Sequence, residues 1–349
     1  MSQKHQNRKN KTVNLSSKRR RIPIFVSTFI LLLIGIIAIV GLFLFYRPSK
    51  IAEPVVLKQP IPQQKFVPHY ALKNFSRQAQ SLQELTGFSV AKMSEVDIAE
   101  MNLLCIQNLP GGYGIDINRC LARLDEWAKR VQFETERHLY RVTDPRFAEH
   151  YHHSETYYRA EMLLQVLQED CGVKYNPERI FNVDFTNSKD LFIHGMIDDS
   201  NGGTCASMPV LYVAVGRRLG YPLYLVQTKG HLFMRWDDGK NRFNIEGSGN
   251  GISSFPDEYY YTWPFQLTEY EKQSGQFLVS LTPAQEFAAF LATRGHCLYD
   301  TKNYNFAGAA FSYAMKFDPF NLLYPKWFQL TSRAMCTPEN NPQNLCPNE

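Results

Sequence analysis

The spacing of apolar positions changes several times along the chain, and each change marks an element. Ile24 to Tyr46 is an uncharged apolar run of 23 residues, and a helix needs about 20 to cross a bilayer. From about residue 70 to 190 the spacing is helical. Ser94 with Asp97 predicts a cap before a run to Gln107, Ile117, Leu121, Leu124, Ala128 and Val131 mark a second helix, and Ser154 to Glu169 a third. Met208 to Leu219 predicts a further helix that closes at Gly220 with Pro222 behind it; Thr204 is placed as its N-cap and Cys205 in its first turn.

Beyond Gly220 the pattern turns to alternation. Leu223 to Thr228 and His231 to Trp236 predict two strands joined at Lys229-Gly230, and Asn241 to Gly247 a third after the turn Asp237-Asp238-Gly239-Lys240. That turn sets His231 directly opposite Glu246, about 5 Å apart at Cβ. Thr282-Pro283-Ala284-Gln285 then predicts a capping box at the start of a helix through Leu291. Gly295, Ala307, Phe311, Ala314 and Pro319 follow at a spacing that resembles one tetratricopeptide unit. A lone unit cannot bury its own face, so it is expected to pack on the preceding domain.

Charge changes the picture at the N-terminus. The net charge is +5, yet the first 21 residues hold eight Lys and Arg and no acid, leaving 30 basic against 33 acidic residues. The remainder carries no nucleic-acid signature. The basic block ahead of the apolar run predicts an uncleaved anchor with its N-terminus in the cytoplasm and the rest outside, at the inner membrane as a single-pass protein. Pro48, Pro54, Pro60, Pro62 and Pro68 mark a linker. The expected organisation is therefore a basic tail over 1–21, a transmembrane helix over 22–46 and a linker over 47–69. A main domain follows over 70–275, with a helical part to 190 and a core over 191–275, and a helical tail over 276–349.

An extracytoplasmic setting permits disulfides. With Cys205 set aside, Cys105, Cys120, Cys171, Cys297, Cys336 and Cys346 remain. Cys105 with Cys120 flanks the turn LPGGYG, Cys336 with Cys346 flanks TPENNPQNL, and Cys171 with Cys297 is left by elimination. Small buried cysteines are the alternative. His150, His152 and His153 lie close together, but with no second ligand cluster at zinc spacing they are taken as a polar loop. No cofactor or metal site is expected.

The chemistry gathers at Cys205, His231 and Glu246. A thiol in a helix's first turn feels unpaired N–H groups and the positive end of the dipole, which favour thiolate. A histidine facing a carboxylate supplies the base and its orienting group.

Gly203-Thr204-Cys205-Ala206, Gly230-His231-Leu232-Phe233 and Phe243-Asn244-Ile245-Glu246 resemble, in this order, the cysteine, histidine and acid motifs of the transglutaminase-like superfamily. The resemblance implies an α+β fold, papain-like in its nucleophile, and catalytic roles for Cys205, His231 and Glu246. Family members most often carry Asp where Glu246 stands. A tetratricopeptide-like tail after such a domain resembles a bacterial branch of the superfamily. The implied function is a thiol-dependent peptidase, amidase or acyltransferase working through a thioester on a protein or peptide; a third reading, from the extracytoplasmic location alone, is action on cell-envelope peptides. The rival reading is a binding module with a vestigial triad.

Overall fold

The helical spacing ahead of residue 190 is realised as a series of helices with side-chain caps. The computed structural model describes residues 70–336 apart from 181, 199, 200 and 250, within the compact unit that begins at Pro68. The expected basic tail, transmembrane helix and linker, and Cys346, lie outside the described residues. Among those described, no helix is long and apolar enough to cross a membrane.

The helices in order are α1 (Leu82–Thr86), α2 (Ile98–Leu104), α3 (Ile117–Arg137), α4 (Glu155–Glu169), α5 (Ser188–Leu191) and α6 (His194–Ile197). Asp97 caps α2 by accepting from the Ala99 N–H, Asp116 caps α3, and Ser154 caps α4. Ser94 lies in the preceding 3-10 turn, Ala91–Glu95.

α7 (Met208–Arg218) is shorter at its start than the pattern predicts. Cys205 lies in the turn just ahead of it, where Thr204 Oγ1 accepts from the Ala206 N–H at 3.2 Å and the Met208 N–H reaches the Thr204 carbonyl at 2.9 Å. Thr204 thus caps the turn that leads into the helix. At the other end Gly220, at φ +75°, allows the Gly220 and Tyr221 N–H groups to fold back on Arg217 and Gly216, a Schellman closure that only a residue tolerant of positive φ accepts without strain.

The sheet is β1 (Leu223–Thr228), β2 (His231–Asp237) and β3 (Arg242–Ile245), antiparallel in that order. The β1–β2 hairpin closes at Lys229-Gly230 as predicted, with Thr228 facing His231. The second hairpin differs. Asp237 pairs Arg242 and Met234 pairs Ile245, so the loop is Asp238 to Asn241 and the register is two residues away from the expected one. Asp238 causes the slip: its Oδ1 accepts from the N–H groups of Lys240 and Asn241 at 2.8 and 2.6 Å, which moves the turn one residue along.

After the sheet come α8 (Glu269–Gln273), α9 (Pro283–Asp300), α10 (Tyr304–Phe317) and α11 (Tyr324–Met335). Residues 278–281 run beside β1, with Leu278 and Leu281 N–H groups on the Gln227 and Leu225 carbonyls. The predicted capping box on Thr282 and Gln285 is formed and opens α9. α9 packs on α10, α10 on α11, and α9 also on α2. The Phe311 ring lies against Gly295.

The sheet has a hydrophobic cluster on each face. Leu223, Leu225, Met234, Trp236 and Ile245 join the large core built by the helices. Val226 and Phe233 join a smaller one with Tyr260, Leu267, Phe277 and Leu278. Ion pairs brace the helical part: buried Arg218 of α7 bonds buried Asp97 and half-exposed Asp125 at 2.5 and 2.7 Å, and Arg217 forks onto buried Glu286 of α9 at 2.8 and 2.6 Å.

Two of the expected disulfides are corrected. Cys105, Cys120, Cys171 and Cys297 are all free thiols. Cys105 sits by Arg294, whereas Cys120 sits among Asp198, Asp116 and Arg119. Cys171 neighbours Asp170 and Arg130, whereas Cys297 neighbours Arg294 and Asp300. LPGGYG therefore does not set its flanking cysteines level, and the elimination that paired the other two had no geometric basis. Burial pushes the Cys105 thiol up to about 12 and the other three to about 11, so they act as small apolar core groups.

Candidate active site

Cys205 is carried by a turn that several elements hold. Asp190, buried at the end of α5, accepts Thr204 Oγ1 on its carbonyl at 2.7 Å and Asn201 Nδ2 on its carboxylate at 2.8 Å. Gly203 exchanges backbone bonds with the segment before it: its N–H reaches Lys174 O at 2.9 Å, and its carbonyl accepts from Asn176 N at 2.8 Å. A side chain at 203 would strike Met208 and Met196 at 2.4 and 2.5 Å, so only glycine lets the turn seat against α6 and α7.

His231 opens β2. Its Nε2 bonds Glu246 Oε1 at 2.8 Å, and the Cys205 side chain lies close enough to the imidazole to raise its pKa. The structure therefore brings the three residues singled out in the sequence together, although His231 and Glu246 are diagonal neighbours in the observed register, not direct partners. Such neighbours stand about 7–8 Å apart, within reach of a long side chain. Glu spans that diagonal, which gives the departure from Asp a geometric reason.

The sequence reading missed the groups around this pair. Tyr260, from the 3-10 turn Asp257–Tyr261, donates its hydroxyl to Glu246 Oε1 at 2.7 Å. It is buried and stacks on Phe233, ring centroids 4.1 Å apart. The turn is fixed by Asp257, which accepts from Arg235 and Asn244 at 2.6 and 2.7 Å. Trp263 packs edge-on to the His231 ring at 4.6 Å and remains 40% exposed. The run of tyrosines in DEYYYTWP was the available signal, but it has no periodicity that assigns one ring to the acid and another to the histidine.

Electrostatics favour a charged imidazole. Burial alone would lower the His231 pKa, but the hydrogen bonds and negative charge of Cys205 and Glu246 outweigh it, and the value rises to about 9. An imidazolium between a thiol sulfur and a carboxylate is the arrangement that stabilises a thiolate.

A cavity of about 800 Å³ is lined by Tyr175, Lys174, Glu161, Gln168 and Gly249 among others, and not by Cys205, His231 or Glu246. Gln168 of α4 ties its far wall by donating to the Gly247 and Gly249 carbonyls at 3.3 and 3.0 Å. The histidine cluster does not converge on one point: His150 bonds Glu161 at 2.7 Å, His152 packs on Tyr157, and His153 lies 3.5 Å from Glu149.

A cysteine ahead of a helix, with a histidine at the start of one strand and an acid just past the end of its antiparallel neighbour, defines a thiol-centred α+β domain. Residues 118–284 match the model of the transglutaminase-like superfamily, so a domain of that superfamily is present, and it contains Cys205, His231 and Glu246. No curated protein and no solved structure matches the chain significantly.

Proposed function

We propose that the protein is a membrane-anchored thiol acyl-transfer enzyme, a peptidase, amidase or acyltransferase, acting through Cys205, His231 and Glu246. The observation that carries the reading is the His231–Glu246 hydrogen bond at 2.8 Å with the Cys205 side chain close enough to the same imidazole to raise its pKa. The Cys205 thiolate adds to an amide carbonyl, and collapse of the adduct expels the amine, which leaves with the His231 proton. The resulting thioester is cleaved by water, giving hydrolysis, or by a second amine, giving transfer; His231 takes the proton of either. Glu246 and Tyr260 hold the ring in place.

The apolar run 24–46 behind a basic block supports an extracytoplasmic position for this site. Cell-envelope peptides are then the substrate at hand. The tail from α9 onward is proposed to be tetratricopeptide-like, and its Glu286 and Arg294 contacts with the rest of the described unit support a packed rather than free-standing role.

The test is the pH dependence of Cys205 alkylation by iodoacetamide. The reading predicts a midpoint well below the ~8.5 of a free thiol. A midpoint at that value would favour a binding module with an inert triad. A Cys205→Ala chain should also alter envelope peptide composition in the producing cell; an unchanged composition rules out that substrate.

A further inference from the structure

Thioester chemistry needs donors for the oxygen that becomes charged when the thiolate adds, and the turn supplies one, the Cys205 backbone N–H. The Cys205 backbone and side chain are among the groups that act on the Tyr175 phenol, so its hydroxyl stands near that N–H. Tyr175 is positioned by backbone: it bridges Gly203, with the Gly203 N–H on Lys174 O at 2.9 Å and the Asn176 N–H on Gly203 O at 2.8 Å. These bonds lie two residues from the nucleophile, so the phenol and the thiol share one rigid frame. Tyr175 also lines the cavity of about 800 Å³, so the same residue borders that cavity and the turn that carries Cys205.

Building on the thiol-enzyme reading above, we propose that Tyr175 is a catalytic residue, its O–H donating with the Cys205 N–H to the tetrahedral oxyanion. As the C–S bond forms, the carbonyl π pair moves onto oxygen. A charged oxygen is a strong acceptor, so the Cys205 N–H and the phenol O–H both donate to it. On collapse the C=O bond re-forms, the C–N pair leaves with the proton from His231, and Tyr175 keeps its own proton. Burial and the negative charges of Cys205 and Glu246 raise the phenol to about 12, so it stays protonated and able to donate.

The experiment compares the full chain with its Tyr175→Phe variant in two reactions of the same sulfur. Acylation by 4-nitrophenyl acetate builds an oxyanion; alkylation by iodoacetamide does not. The Cys205→Ser variant gives the background of the other cysteines. Removing one oxyanion donor is expected to slow acylation about 10²–10³-fold, while alkylation stays within about threefold, which also shows that the variant is folded. Equal acylation rates in the two chains, or equal losses in both reactions, overturn the assignment of Tyr175. If the unaltered chain acylates no faster than Cys205→Ser, the enzyme reading itself fails, and the assignment with it.

Discussion

Glu246 accepts two hydrogen bonds on one oxygen, from His231 at 2.8 Å and Tyr260 at 2.7 Å, and its negative charge is among the groups that hold the His231 pKa near 9. Replacing it by Gln keeps the shape and removes the charge. Glu246→Gln should therefore move the alkaline limb of the pH–rate profile from about 9 to lower pH and slow turnover about 10²-fold; an unmoved limb would remove Glu246 from the mechanism. The same shift has a stability consequence. A histidine raised from 6.5 to about 9 contributes stability that is complete below pH 6.5 and lost as pH rises through 9. Tyr260→Phe removes one of the two donors to Glu246 Oε1 and should cost about 1.5–3 kcal/mol in urea unfolding. The identities of Cys205, His231 and Glu246 were legible in the sequence because each stands at a boundary between elements. Tyr175 and Tyr260 were not, because both come from short segments placed by long-range contacts: Tyr175 by its bridge to Gly203, and the Tyr260 turn by the bonds of Asp257 to Arg235 and Asn244.

At the scale of elements, the β1–β2 hairpin was predicted to the residue because Lys229-Gly230 admits one closure, with Gly230 at φ +76°. The β2–β3 hairpin slipped because Asp238 competes for backbone N–H groups with its side chain, an interaction that alternation does not record. The face assignment survived, since a slip of two keeps every side chain on its side. The α7–α9 contact was foreseeable only as a general need of the tail to bury a face. Its specific form is the fork of Arg217 on Glu286, whose side chain is wholly buried. Glu286→Ala leaves Arg217 without its carboxylate and should cost about 3–5 kcal/mol, read from the urea midpoint. A loss below 1 kcal/mol would mean that the pair is not what joins α9 to the helix following Cys205.

For the whole molecule, the sequence assigns a role to the N-terminal segment that the described residues do not address. The full chain should sediment with membranes and resist alkaline carbonate extraction, whereas a chain lacking residues 22–46 should be released; retention of the shortened chain would contradict the anchor. The described unit sets the partly exposed Cys205 thiol beside His231, whereas desolvation raises the thiols of buried Cys105, Cys120 and Cys297 and of partly exposed Cys171. This contrast is the basis of the central claim that Cys205 is a His231-activated nucleophile. Intact-mass analysis of the full chain after brief exposure to 4-nitrophenyl acetate at pH 7 tests it most directly. One acetyl group should appear on Cys205, be removed by hydroxylamine, and be absent in Cys205→Ser and slow to form in His231→Ala. Acetylation spread over other residues, or equal in the His231→Ala chain, would contradict it.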